Sequence, residues 1–165
     1  MTTSVLLELL HHKTWATLRL IEYCQSLAPE HLDASVPGTY GSIRETLRHL
    51  LRADESYFKS VTGENLGDFP AEAGLGALAD RFRGLAKRWE NVIGDPSAAE
   101  RETENRRGFA KGVAPLAQSI HHADDHRTQV LTIIGARGLE VPDLDMWAYG
   151  AEAGYVRYKE EAPTA

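Results

Sequence analysis

Four stretches of this chain repeat apolar side chains at steps of three and four, and each stretch runs out at proline or glycine. That period is helical: it places an apolar stripe along one side of each segment and obliges that side to find a partner. The first stretch covers residues 4–27, with Leu7, Leu10, Thr14, Thr17, Leu18, Ile21 and Cys24 on one side. Pro29 and the polar run from Ala34 to Gly41 end it. The second opens at Ser42 with Glu45 three residues on, a capping-box pattern, and continues through Leu47, Leu50, Leu51, Tyr57, Phe58 and Val61 to Gly63. The third, residues 75–93, carries Leu78, Phe82, Leu85, Trp89 and Val92 and stops at Gly94-Asp95-Pro96. The fourth starts near Pro115, whose missing N–H is harmless in a first turn, and reaches Ala136 before Gly138.

Between the third and fourth stretches lies a polar segment, residues 95–113, readable as a loop or as a short hairpin. After Pro142 come Leu144, Met146, Trp147 and Tyr149, and then a short helix expected over residues 151–159. No convincing period-two strand and no internal repeat is visible. The expectation is an all-α protein, a four-helix bundle with an extra short C-terminal helix, forming one domain over residues 1–165.

Composition excludes several classes of function. With 165 residues, 42% of them hydrophobic, the chain buries enough surface to fold without a disulfide or structural metal. Its one cysteine, Cys24, rules out an intramolecular disulfide and a cysteine-based zinc site, and its apolar face makes it a buried, inert thiol. The net charge is −6, and affinity for nucleic acid rests largely on neutralising phosphates, so neither DNA nor RNA is an expected partner. The densest basic group, Arg101, Arg106, Arg107 and Lys111, is interleaved with Glu100, Glu102 and Glu104 and reads as a solvated, mixed-sign segment. An anionic membrane surface is disfavoured on the same grounds. With neither a leader-like N-terminus nor an apolar run of about 18 residues, the expected location is the cytoplasm.

Seven histidines are the chemically informative residues. On the fourth helix, positions 122 and 126 lie about 40° apart around the axis and about 6 Å along it, so both imidazoles can reach one metal ion. Positions 121 and 126 are about 140° apart and cannot share one without distortion. His122 and His126 belong to a polar band with Gln118, Asp125 and Gln129, beside the apolar set Leu116, Ile120, Ala123, Leu131 and Ile134. On the second helix, His49 sits in a stripe of small side chains, Ser42, Thr46, Ala53 and Ser56, which leaves room above it for a ligand. His11, one turn before Trp15, is an alternative lining residue; His12 falls off the apolar side and His31 sits in the turn after Pro29. Trp15, Trp89 and Trp147 are read as core or interface residues, with Trp147 alternatively a cavity wall.

These residues resemble the DinB/YfiT-like family of metal-binding four-helix bundles. The resemblance covers nearly the whole chain. It rests on Trp15-Ala16, on Gly41-Ser42-Ile43 leading to Leu47-x-His49-Leu50, on Ala53-Asp54-Glu55, and on the Pro142-Asp143-Leu144-Asp145 segment. Its most specific part is His122-x3-His126-Arg127-Thr128-Gln129, similar to the family's His-x3-His-Arg-Gly-Gln, with Thr128 where glycine is frequent. The resemblance implies that His49, His122 and His126 are metal ligands and that the protein is a homodimer. It also implies kinship with S-transferases and isomerases that use bacillithiol, mycothiol or glutathione.

Three neutral imidazoles leave a metal ion its full charge and an open position, as catalytic sites do. Zn²⁺ and Ni²⁺ both suit such ligands. The expected function is therefore a metal-dependent enzyme acting on a small-molecule substrate; the resemblance implies a low-molecular-weight thiol as co-substrate and an S-transferase reaction on small electrophiles. The alternatives are a metal-dependent hydrolase and a non-catalytic dimeric bundle that binds a metal or small ligand. Gln118, Gln129, Asp125, Glu55 and Tyr149 are candidate substrate or supporting groups, and no catalytic acid or base is assigned.

Overall fold

The computed structural model describes residues 4–105 and 108–159. Helix α1 (Val5–Gln25) begins at Ser4, whose hydroxyl accepts the Leu7 N–H, and buries Leu10, Ala16, Leu20, Ile21 and Cys24. A single turn, α2 (Pro29–Leu32), opens on proline. Helix α3 (Ile43–Thr62) has the expected capping box: Ser42 Oγ accepts the Glu45 N–H and Glu45 Oε2 accepts the Ser42 N–H at 2.8 Å. It ends on Gly63 at φ +77°, where a side chain would be strained. Helix α4 (Leu75–Ile93) buries Leu78, Phe82, Leu85 and Trp89, and α5 (Val113–Ala136) buries Leu116, Ala123, Val130, Ile133 and Ile134.

The four long helices form a closed ring. Helix α1 packs on α4 and α5, and α3 packs on the same two, so each helix has two neighbours. The stripes converge on a core in which Trp89, Leu20, Ile21, Ile43, Leu47, Ile133 and Ile134 are fully enclosed. Each such aliphatic side chain contributes about 1.5–3 kcal/mol by leaving water. This is the all-α four-helix bundle anticipated above, with a short C-terminal helix. No helix among the described residues is long and apolar enough to cross a membrane.

Two boundaries differ from expectation. Helix α5 starts at Val113, two residues before the expected Pro115, which still falls in the first turn where no N–H is needed. The short C-terminal helix is α6 (Met146–Glu152), and not residues 151–159. Asp145 sets its start, with Oδ1 accepting the N–H groups of Trp147 and Ala148, both at 2.8 Å. Gly154 at φ +79° closes it, and Tyr155 and Val156 turn their N–H groups back onto the Gly150 carbonyl. The polar segment forms a hairpin of β1 (Glu102–Asn105) and β2 (Gly108–Lys111), with Glu102 opposite Lys111 and Glu104 opposite Phe109. Arg101 pairs with Asp95 at 2.8 Å and Lys111 with Glu100 at 2.9 Å, in keeping with a mixed-sign surface; Arg106 and Arg107 lie outside the described residues.

Candidate metal centre

Helices α3 and α5 are neighbours along their length, and this pairing assembles the site. His49 stands two turns into α3, with the helix start held by Ser42 and Glu45. His122 and His126 project one turn apart from α5. One ring nitrogen from each of the three lies within 4.8 Å of the other two. His49 Nε2 and His122 Nε2 are 3.1 Å apart, and the rings meet at tilted or edge-on angles with centroids 4.4–5.0 Å apart. A tetrahedral ion with bonds of about 2.0–2.1 Å holds its nitrogen ligands about 3.3 Å apart. The donor set and its spacing fit a divalent ion, so the cluster could hold one.

The electrostatics fit as well. Burial, then the neighbouring His126 and His49 rings, push His122 down to about 4. His49 is lowered too, by burial first, then by the His126 ring and Arg52. Neutral imidazoles are the form that offers a lone pair to a metal.

Tyrosines flank the cluster. The Tyr40 ring stacks on His49 at a centroid distance of 4.0 Å and 17° between planes, and stands edge-on to His126 at 5.4 Å. Tyr57 stands edge-on to His122 at 5.6 Å. Gln129, one turn beyond His126, has its Oε1 3.0 Å from His126 Nδ1. On the core side, His122 and Tyr57 share a small cavity of about 10 Å³ with Lys13, Asp54 and Ser119. Lys13 is buried and places Nζ 2.8 and 2.9 Å from the two Asp54 carboxylate oxygens, while Trp89 Nε1 donates to Asp54 Oδ1 at 3.1 Å. Burial, the largest effect, lowers the Lys13 pKa, and the Asp54 carboxylate opposes it. Arg127 donates to the Lys13 carbonyl at 3.2 Å and to Thr17 Oγ1 at 3.1 Å, and pairs with Asp124 on its own helix, so it braces α5 against α1.

The remaining histidines are elsewhere. His11 lies 3.6 Å from Glu8 and 3.6 Å from Glu90 and does not line the site. His12 is buried, contrary to its reading as off the apolar side, because Nε2 bonds the Leu144 carbonyl at 2.8 Å. His121 faces outward to Asp125 at 3.3 Å, and His31 receives Arg137 Nε at 3.4 Å.

Of the supporting groups considered from sequence, Gln129 alone bonds a histidine of the cluster. Glu55 bonds Arg81, Tyr149 donates to Glu8 Oε2 at 2.9 Å, and Gln118 is exposed. Trp147 is 66% exposed on α6, which corrects its reading as a core residue or cavity wall. Cys24 is fully buried, and burial pushes its thiol up to about 12. Thr128 is exposed and turns its hydroxyl onto the Asp124 carbonyl at 2.9 Å, so the departure from the His-x3-His-Arg-Gly-Gln pattern leaves the cluster untouched. Sequence reasoning missed Tyr40, which it treated as part of a helix terminator, and the pair Lys13 and Asp54.

The DinB family model matches residues 1–161. The crystal structure of a DinB-like protein from Bacillus subtilis, YjoA, superposes with a TM-score of 0.70 at 17% identity, covering 86% of this chain and 99% of that one. At that identity the likeness is one of fold. No curated protein matches the sequence.

Proposed function

The chain belongs to the DinB family, and from that membership and the convergence of three imidazoles we propose that it binds a divalent metal ion through His49, His122 and His126 and acts as a metal-dependent enzyme. What supports this reading is the placement of three imidazole nitrogens, from two helices, within 4.8 Å of one another. The reaction proposed is S-transfer: a low-molecular-weight thiol co-substrate gives up its proton to solvent, its sulfur forms a C–S bond at the electrophilic carbon of a small molecule, and the group that carbon held departs with the bonding electron pair, as chloride does from chlorodinitrobenzene. Zn²⁺ or Ni²⁺ suits the imidazole set. Such an ion, when bound, supplies Lewis acidity that brings the pKa of a thiol or water toward neutrality.

The chain's own residues prepare the site for that role. Burial keeps His49 and His122 unprotonated near neutral pH, so their lone pairs are available. Tyr40 and Tyr57 cover ring faces and edges of the histidines and limit water around them. Lys13 and Asp54 neutralise one another beneath the cluster, which leaves the core side with no net charge to compete with a cation.

The test is thiol consumption with chlorodinitrobenzene as electrophile, supplying glutathione, bacillithiol and mycothiol in turn to the zinc- or nickel-loaded protein. Turnover in the parent that falls by at least about tenfold in His122→Ala supports the reading. Equal rates in the two proteins would overturn catalysis for these substrates. Hydrolysis of activated esters lost in the same variant would favour the hydrolase instead.

A further inference from the structure

Two N–H groups converge on one atom of Gln129. The Tyr40 backbone N–H donates to Oε1 at 2.9 Å, and His126 Nδ1 lies 3.0 Å from the same oxygen. A backbone N–H can only donate, so the atom receiving it must be the amide oxygen and not the NH₂ group. That oxygen has no hydrogen to give, and His126 Nδ1 is then obliged to be the second donor. His126 is accordingly the Nδ1–H tautomer, with its lone pair on Nε2.

The same oxygen ties down the segment that carries Tyr40. Thr39 Oγ1 lies 2.9 Å from the Val36 carbonyl oxygen and 3.2 Å from the Gly41 carbonyl oxygen, and its one proton, shared between them, closes the turn before the α3 cap. With Thr39 held on one side and Ser42 in the capping box on the other, the Tyr40 ring lies flat on His49. Tyr40 is still 55% exposed, so packing on a core does not explain its placement. The contacts that do are the stack on His49 and the bond to Gln129.

We propose that Gln129 is the positioning residue of the three-histidine centre: one amide oxygen presents His126 Nε2 to the ion and docks Tyr40 as a clamp on the His49 ring. The importance of this arrangement to a metal rests on the function proposed above. The tautomer and the docking are properties of the chain itself.

The experiment pairs long-range proton–nitrogen NMR of the metal-free protein, at about pH 8 where imidazoles are neutral, with Zn²⁺ affinity by chelator competition. The parent should show His126 as the Nδ1–H tautomer. In Gln129→Ala that preference should be lost, and Zn²⁺ should bind about tenfold to a hundredfold more weakly. Gln129→Glu, which keeps an acceptor in place, should retain the tautomer and bind Zn²⁺ within a few-fold of the parent. Tyr40→Phe should match the parent, and Tyr40→Ala should lose several-fold in affinity while leaving the His126 tautomer in place. An Nε2–H tautomer in the parent, or unchanged Zn²⁺ affinity in Gln129→Ala, would overturn the proposal. If the parent takes up no Zn²⁺ the metal reading fails, and the tautomers of parent and Gln129→Ala still decide the assignment of Gln129.

Discussion

The His122 imidazole stays neutral at pH values where an exposed histidine would protonate. With a folded-state pKa of about 4 against 6.5 for the free side chain, the unfolded chain binds a proton that the folded chain refuses. Stability of the metal-free protein should therefore be level above pH 6.5 and fall as pH drops through the window to 4. The ceiling is about 3 kcal/mol, reduced by the ring's partial exposure. Urea titrations across this range should show the loss in the parent and a smaller one in His122→Gln. A second residue-scale prediction concerns Lys13 and Asp54. Asp54→Asn strands a buried ammonium and should cost about 3–5 kcal/mol, whereas Lys13→Met with Asp54→Leu should cost far less, as chemical denaturation can show. Both charges were visible in the sequence at core positions, Lys13 between Leu10 and Thr17, and Asp54 between Leu50 and Phe58. What could not be read is that they meet, because the relative register of α1 and α3 is set by packing and by no local rule.

At the scale of elements, the start of α3 does two jobs: it caps the helix that carries His49 and anchors the turn that carries Tyr40. Ser42→Ala should cost about 1 kcal/mol of stability and should also weaken the fluorescence or NMR signature of the Tyr40 stack on His49. Gly112 is the tightest joint in the hairpin region, where an added Cβ would sit 1.9 Å from the Ala98 carbonyl oxygen. Gly112→Ala must displace backbone, and thermal melting should show a loss of about 1–3 kcal/mol. The capping box and all four long helices were legible because cap chemistry and apolar period are local signals. The hairpin was not decided by sequence, since each strand has only four residues and β2 is mostly exposed, with no alternation to read. Helix α6 begins ahead of the expected residues 151–159 because Asp145 is a strong cap, its side chain accepting the N–H groups of Trp147 and Ala148.

For the whole molecule, the three-histidine cluster follows from which helices are neighbours. The ring order of the bundle sets α3 beside α5, and this alone brings His49 to His122 and His126. The pair on α5 could be read from its spacing. His49 stands out by its stripe of small side chains, but its convergence with the pair needs the family pattern or the fold, because residues 49 and 122 share no local relation. If the three nitrogens hold an ion only in the folded state, Zn²⁺ at a hundredfold above its Kd should stabilise the protein by about 2.7 kcal/mol, and chelator should remove that gain. A melting curve of metal-loaded protein indifferent to chelator would count against the site. The most direct measurement is metal content by elemental mass spectrometry, on untagged parent and His49→Ala purified without metal resin. The parent should carry about one equivalent of zinc or nickel per chain, and the variant should lose it. A parent that carries no metal even after incubation with Zn²⁺ and Ni²⁺ would contradict the metal centre.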